Sequence, residues 1–315
     1  MDSAKKPFHH SILVDAVVEA AACINALPGE QRVIWDGTAG LAGHAMALSR
    51  AYPGARVLAS DADAEMLALA RENPAAAAIE LRQGNFSANP FADCAPFGFV
   101  LLDLGISSAH FDYFDRGFSF RFEQPLDMRM DTSRGRTAAD LVNSLPEDEL
   151  ASVFFRYGEE KLSRRIARLI CEQRKRKPFA TTGEISEICA QVYPPKHRAK
   201  GHAQKHPSTR VFQALRIAVN GELDALQSAL DTIPDLLCIN GRFAIITFHS
   251  LEDRMVKLAF RDRTQIAQTD PSARSNFLPG DFELIAPGGI TPSEEEIAVN
   301  PRARSARLRI LKRVR

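Results

Sequence analysis

The chain has 315 residues, 45% of them hydrophobic and 25% charged; it is too apolar for intrinsic disorder, and its length points to one large domain with an appendage or to two domains. Five scattered cysteines without a C-x-x-C spacing exclude a disulfide framework, a redox pair and a zinc ribbon, and the lack of a long apolar run or of an apolar leader after Met1 sets the expectation of a cytosolic, reducing compartment with no membrane. The net charge of +1 conceals a segregation: Lys161 to Arg216 hold 14 Lys/Arg against three acids, Arg302 to Arg315 hold seven basic residues and no acid, and the remainder is strongly acidic.

In chain order, Arg32 to Trp35 read as a short apolar strand, Gly43 to Ala51 as a helix, Arg56 to Ser60 as a strand and Ala64 to Arg71 as a helix. Ile79 to Arg82 and the wholly apolar Phe99 to Leu102 follow as strands. Short apolar strands alternating with helices predict right-handed βαβ units and a parallel sheet. From about Asp112 to Arg210 the rhythm turns helical, with predicted helices over Glu147 to Phe155, Lys161 to Cys171 and Glu184 to Val192, the last stopped by Pro194 and Pro195. One long amphipathic helix is predicted over Phe212 to Leu230, and the strand pattern resumes at Arg242 to Phe248. The reading is an α/β core formed by residues 1–111 and 211–315, with a helical, basic domain inserted at 112–210. Two separated blocks of one sign point to a polyanionic partner for part of the chain.

Between the first strand and its helix lies Asp36-Gly37-Thr38-Ala39-Gly40-Leu41-Ala42-Gly43-His44. Glycines at a strand-to-helix turn let a ligand approach the backbone and the N–H groups of the helix start. Asp61, ending the second strand, is placed to accept hydrogen bonds from ribose hydroxyls. The loop lacks the full G-x-G-x-x-G fingerprint, and Asp36 at its head repels a pyrophosphate while attracting a cationic α-amino group, so S-adenosylmethionine fits better than NAD. Asp103 ends the fourth strand at the same edge.

These strings, together with His10-Ser11-Ile12-Leu13, Gly84-Asn85-Phe86 and Leu102-Asp103-Leu104-Gly105-Ile106-Ser107-Ser108, resemble the bacterial 16S rRNA cytosine-N4 methyltransferases, the MraW-like family. The resemblance continues through Arg116-Gly117-Phe118-Ser119-Phe120, Pro125 to Asp131, Tyr157-Gly158-Glu159-Glu160, His206 to Arg210 and Phe212 to Asn220. Phe248 to Arg254 and Asn300 to Ala306 complete it, so that it runs nearly end to end. It implies a Rossmann-like class I methyltransferase sheet carrying a helical insert, S-adenosylmethionine as cofactor, and 16S rRNA of the small ribosomal subunit, in its decoding region, as substrate. It also implies that Ala42, Gly43, His44, Asp61, Phe86, Asp103 and His110 line the cofactor site, with Asp36 and Gly40 beside them. Two positions depart from the family pattern: Ala42 stands for a glycine, acceptable if its φ is negative, and His110 stands for a glutamine.

Methylating the cytosine amino group is an in-line displacement at a sulfonium methyl by a nitrogen whose lone pair is delocalised into the ring. A hydrogen-bond acceptor that favours a pyramidal nitrogen and aligns it assists, and Asp103 is the expected catalytic acceptor. Arg129, Arg174, Lys175, Arg176, His206, Arg210 and His249 are the expected rRNA contacts, joined by Lys177, Lys196, Arg198, Lys200, Lys205 and the terminal arginines as phosphate partners. A flexible basic loop is expected over Lys196 to Lys205. Glu252 and Asp253 read as a solvated helix start, Phe118, Phe120 and Phe122 as one core face, and no metal is expected. Alternative readings are a non-catalytic RNA-binding or assembly factor on the same fold, an amino methyltransferase with another nucleic-acid target, and, disfavoured by the loop, an NAD enzyme.

Overall fold

The computed structural model describes residues 11–107, 110, 114–120, 122–193, 206–267 and 277–315. The expected contacts Lys196, Arg198, Lys200 and Lys205, and the loop that carries them, lie outside the described residues. Two compact units are present: residues 1–106 with 224–315, and residues 107–223.

The first unit is a seven-stranded sheet ordered β3-β2-β1-β4-β5-β9-β8. Its strands are β1 (Val33–Asp36), β2 (Arg56–Asp61), β3 (Glu80–Gln83), β4 (Phe97–Asp103), β5 (Leu237–Thr247), β8 (Phe282–Ile290) and β9 (Arg307–Arg313). The short strands β6 (Gln265–Ala267) and β7 (Phe277–Pro279) pair separately. The first five strands of the order are parallel, and β9 and β8 join antiparallel. This is the expected Rossmann-like α/β sheet. Its central strands are buried on both faces because alternate residues point to opposite sides. Ile34, Phe99, Leu101, Ala244 and Ile246 face a layer that includes α1 (Val14–Ala20) and α2 (Gly43–Ala51). Trp35, Val100, Leu102, Phe243 and Ile245 share the opposite core with Leu226 and Leu230, and with Val256 and Phe260. The helix α3 (Ala64–Arg71) follows β2, its N-cap Asp63 accepting the backbone N–H groups of Glu65 and Met66.

The second unit holds α4 (Ala138–Ser144), α5 (Glu147–Gly158), α6 (Ser163–Gln173), α7 (Thr182–Val192) and α8 (Thr209–Asn220). Capping boxes start α4 at Thr137 with Asp140 and α7 at Thr181 with Glu184. The single helix expected over Phe212 to Leu230 is instead two, α8 and α9 (Glu222–Thr232), because Gly221 takes the left-handed conformation with φ 59° and ends α8. The expected insert, residues 112–210, falls within the second unit. The helix α8 packs on α5, where Gly158 has no Cβ and admits the backbone; a Cβ there would stand 2.4 Å from the Arg210 carbonyl oxygen. The rest of the first unit comprises α10 (Ser250–Arg263) and α11 (Glu294–Val299).

Phe118, Phe120 and Phe122 do not form one core face: Phe118 is buried, whereas Phe122 is 68% exposed. No helix among the described residues is long and apolar enough to cross a membrane.

Candidate cofactor site

The site grows from the ends of three adjacent strands. After Asp36, the loop is bound to both neighbours of β1: the Gly37 N–H donates to Leu101 O at 2.8 Å on β4, and the Ala39 N–H to Ser60 O at 2.8 Å on β2. The Gly40 N–H then donates to Asp61 Oδ2 at 2.7 Å, while Asp61 Oδ1 accepts the Asp63 N–H at 2.9 Å. Asp61 therefore both ends β2 and clasps the loop. A Cβ on Gly37 would come within 2.5 Å of Leu102 Cδ2, which explains a residue without a side chain at this position.

The loop reaches α2 through Gly40, with φ 52°, and Ala42, with φ 63°. The condition set for an alanine at position 42, a negative φ, is not met. Both residues are left-handed because the chain must turn sharply from strand to helix, and for an alanine this costs on the order of 1–2 kcal/mol. Ala42 is the N-cap of α2 and supplies no side-chain cap, so first-turn N–H groups remain for an anionic ligand group. The next residue, Gly43, packs tightly: a Cβ there would lie 2.1 Å from Ser11 Oγ.

Beneath the loop lies a buried polar group. Asp36 is 1% exposed; its Oδ1 accepts the Thr38 N–H at 3.1 Å. It thus lies under the loop and not at its open head. His44, in the first turn of α2, is 4% exposed, and its Nε2 stands 3.4 Å from Asp103 Oδ2. The Asp103 N–H donates to Thr38 Oγ1 at 2.6 Å, so Thr38 ties the end of β4 to the loop. Burial pushes the Asp36 carboxyl up to about 6, against the pull of His44 and of the Thr38 N–H. Burial also drags His44 down, but the Asp103 hydrogen bond, with the charges of Asp103, Asp36 and Glu296, outweighs it, and the net direction is upward.

Asp36 Oδ2, both ring nitrogens of His44, and Asp103 Oδ1 are buried without an aligned hydrogen-bond partner. Unsatisfied polar atoms at the C-terminal edge of a parallel sheet mark a ligand site, and the two carboxylate oxygens among them suit a ligand with cationic groups. Phe86 completes this edge: it follows Gly84, whose N–H donates to Asp61 O at 2.9 Å, and is partly buried against the Trp35 core. The structure therefore brings Asp36, Gly40, Ala42, Gly43, His44, Asp61, Phe86 and Asp103 to one edge of the first unit. His110 belongs to the second unit, buried edge-on against Phe118 at 5.3 Å.

Known proteins similar to this chain identify its family. The MraW methylase family profile matches residues 6–314. This chain belongs to that family. Among its relatives are the ribosomal RNA small subunit methyltransferases H of Syntrophotalea carbinolica, 44% identical over 97% of this chain and 98% of that one, and of Rippkaea orientalis, 42% identical over 94% and 90%. A solved rRNA methylase from Streptococcus thermophilus aligns over 94% of this chain and 95% of its own, at 10% identity and a TM-score of 0.40. The chain is a methylase of the MraW family.

The expected rRNA contacts fare unevenly. His206, Arg210, Lys175 and Arg176 are exposed on the second unit, as are Lys161, Arg164, Arg165 and Arg168 around α6. Arg129, in contrast, is held internally by both oxygens of Asp127, at 2.8 Å each, and by Thr132 O at 2.9 Å. Arg174 donates to Val142 O at 2.7 Å, and Lys177 pairs with Glu184 at 2.6 Å. The ring of His206 stacks on Phe120 with centroids 4.6 Å apart. On the C-terminal strand, Arg309 is buried against Asp253, with hydrogen bonds of 2.8 and 3.1 Å, and Arg313 donates to Asp235 O and Leu237 O. The terminal basic block is thus partly structural.

His249 is the N-cap of α10, its Nδ1 accepting the Glu252 N–H at 3.4 Å. Glu252, expected to be solvated, is 2% exposed because its Oε2 returns to the Phe248 and His249 N–H groups at 2.8 and 3.3 Å. Two contributors went unassigned in the sequence reading. Thr38 was visible within the loop string, whereas Glu296 acts on His44 from 252 positions away, with no local signal.

Proposed function

We propose that this chain transfers a methyl group from S-adenosylmethionine to the N4 amino group of a cytidine in the decoding region of small-subunit rRNA. Support for the rRNA target comes from near full-length relatives of 41–47% identity whose names state that activity. The amino-group chemistry is carried by one observation: Asp103 ends β4 at the cofactor edge with Oδ1 lacking a protein partner.

Bound S-adenosylmethionine supplies an electrophilic methyl on a sulfonium. The chain's own residues do the rest. The loop from Gly37 to Gly43, fixed by Asp61 and by the strands on either side, holds the donor by backbone groups and by the start of α2. Asp103, anchored through its N–H to Thr38, accepts a hydrogen bond from the N4 amino group, which localises the nitrogen lone pair and aligns it with the methyl; the methylated nitrogen then gives up one of its protons to solvent. The exposed arginines and lysines around α6 hold phosphates and position the RNA without reading its bases. The amino group must be unpaired to reach such a site, so a single-stranded or flipped cytidine is the substrate form.

The test is to incubate the protein with labelled S-adenosylmethionine and small subunits from a strain lacking the gene, and then to map the modified nucleotide by mass. Label on N4 of one cytidine is expected; label at another atom or on another RNA contradicts the reading.

A further inference from the structure

Three ionisable side chains on three elements meet beneath the loop: Asp36 from β1, His44 from α2 and Asp103 from β4. Two more carboxylates act on them, Asp61 of β2 on Asp36 and Glu296 of α11 on His44. The charges acting on His44 are Asp103, Asp36 and Glu296, and all are acidic. His44, itself buried, thus lies among acidic groups, of which Asp36 is buried and Asp103 partly exposed. In such a place a neutral imidazole leaves buried negative charge uncompensated, which is costly. The net upward direction at His44 follows from this arrangement.

S-adenosylmethionine carries a sulfonium and an ammonium against one carboxylate, and so brings one net positive charge. We propose that His44 is a place-holding cation: without the donor it carries a proton that compensates Asp36 and Asp103, and it releases that proton to solvent when the donor binds. One N–H bond of the imidazolium breaks, the proton goes to the buffer, and the donor's charge replaces it. The inference rests on the S-adenosylmethionine reading of the site. It makes His44 a positioning residue, because imidazole Nε2, at 3.4 Å, holds Asp103 Oδ2 in either state. Binding that expels a proton is weakened by protons, so affinity for the donor rises with pH across the window between the pKa of His44 in the loaded protein and its higher value in the free one, by at most about tenfold per pH unit for one proton.

Calorimetric titration of the full chain with S-adenosylmethionine, in phosphate and in Tris between pH 6 and 8.5, reads the released protons from the buffer dependence of the binding heat. Wild type is expected to release a fraction of a proton approaching one. His44→Gln, which keeps a polar side chain but does not titrate, is expected to release fewer protons and to show a shallower pH profile, the remainder coming from Asp36, whose carboxyl lies up at about 6. Equal proton release from wild type and His44→Gln overturns the proposal. Should the variant fail to fold, NMR titration of the wild-type His44 ring signal, assigned by through-bond correlation, decides alone: a fall in its pKa on adding the donor supports the proposal, and no change overturns it. Absence of binding heat at every pH overturns the cofactor reading and this inference with it, an outcome distinct from binding without proton release.

Discussion

Asp61 accepts the backbone N–H of Gly40 at 2.7 Å, so the carboxylate that ends the second strand also fixes the loop that ends the first. A charged hydrogen bond of this type contributes about 1.5–3 kcal/mol, and the loop it holds carries the cofactor contacts. Asp61→Ala is expected to weaken S-adenosylmethionine binding by about tenfold to a hundredfold, measured by calorimetry. An unchanged dissociation constant would detach Asp61 from the site.

Ala42 has a φ of 63°, where a side chain is strained and glycine is not. Ala42→Gly relieves that strain but gives the unfolded chain more freedom, so a net gain of roughly 0.5–1 kcal/mol is expected. Urea unfolding followed by circular dichroism checks it. A loss of stability would mean that the Ala42 methyl, fully buried in the core under the loop, contributes more by packing than its backbone conformation costs.

Asp36 is a carboxyl whose folded-state value is raised, from 3.8 to about 6. The sign follows: the stability associated with its protonated form is fully present below about pH 4 and is lost as pH rises through about 6. Above that window the buried charge costs as much as about 3 kcal/mol. Asp36→Asn is expected to be more stable than wild type at pH 8, with the difference closing toward pH 4, and to bind the cationic donor less well. Denaturant unfolding of both proteins across this range reads the effect; a difference that does not vary with pH would contradict it.

The exposed residues Arg164, Arg165, Arg168, Lys175 and Arg176 form the basic surface of the second unit. If five of its charges engage phosphates, the logarithm of affinity for the RNA substrate falls against the logarithm of salt with a slope of about −3.5. The double substitution Lys175→Glu and Arg176→Glu is expected to reduce that slope by about 1.4 and to weaken binding to all RNA sequences alike. Filter binding at several salt concentrations measures it. A slope unchanged by the substitutions would place the interface elsewhere.

The sheet and the loop were legible because their signals are local. The continuous apolar runs of β1, β2 and β4, and glycines where the chain turns, depend on near neighbours in sequence. What was not legible depends on long-range packing or on backbone conformation. Gly221 ended α8 inside an unbroken amphipathic pattern; the stop signal Asn220-Gly221 was present but masked by the apolar periodicity on either side. Arg129 and Arg309 looked like free positive charges, yet each is held by an aspartate, one nearby in sequence and one 56 positions away. Ala42 was misjudged because composition does not report φ, and Glu252 because a helix-start acid is usually solvated and this one turns back to cap its own helix.

The proposed reaction is methyl transfer to N4 of a small-subunit cytidine at a site in which Asp103 accepts a hydrogen bond from the amino group. Its most direct measurement is single-turnover transfer from labelled S-adenosylmethionine to small subunits lacking the modification, with wild type and Asp103→Asn compared at saturating donor. Wild type is expected to place label on N4 of one cytidine, and the variant to turn over on the order of a hundredfold more slowly even when donor is saturating. Label at any other atom, or a variant whose defect disappears once donor saturates, would contradict it.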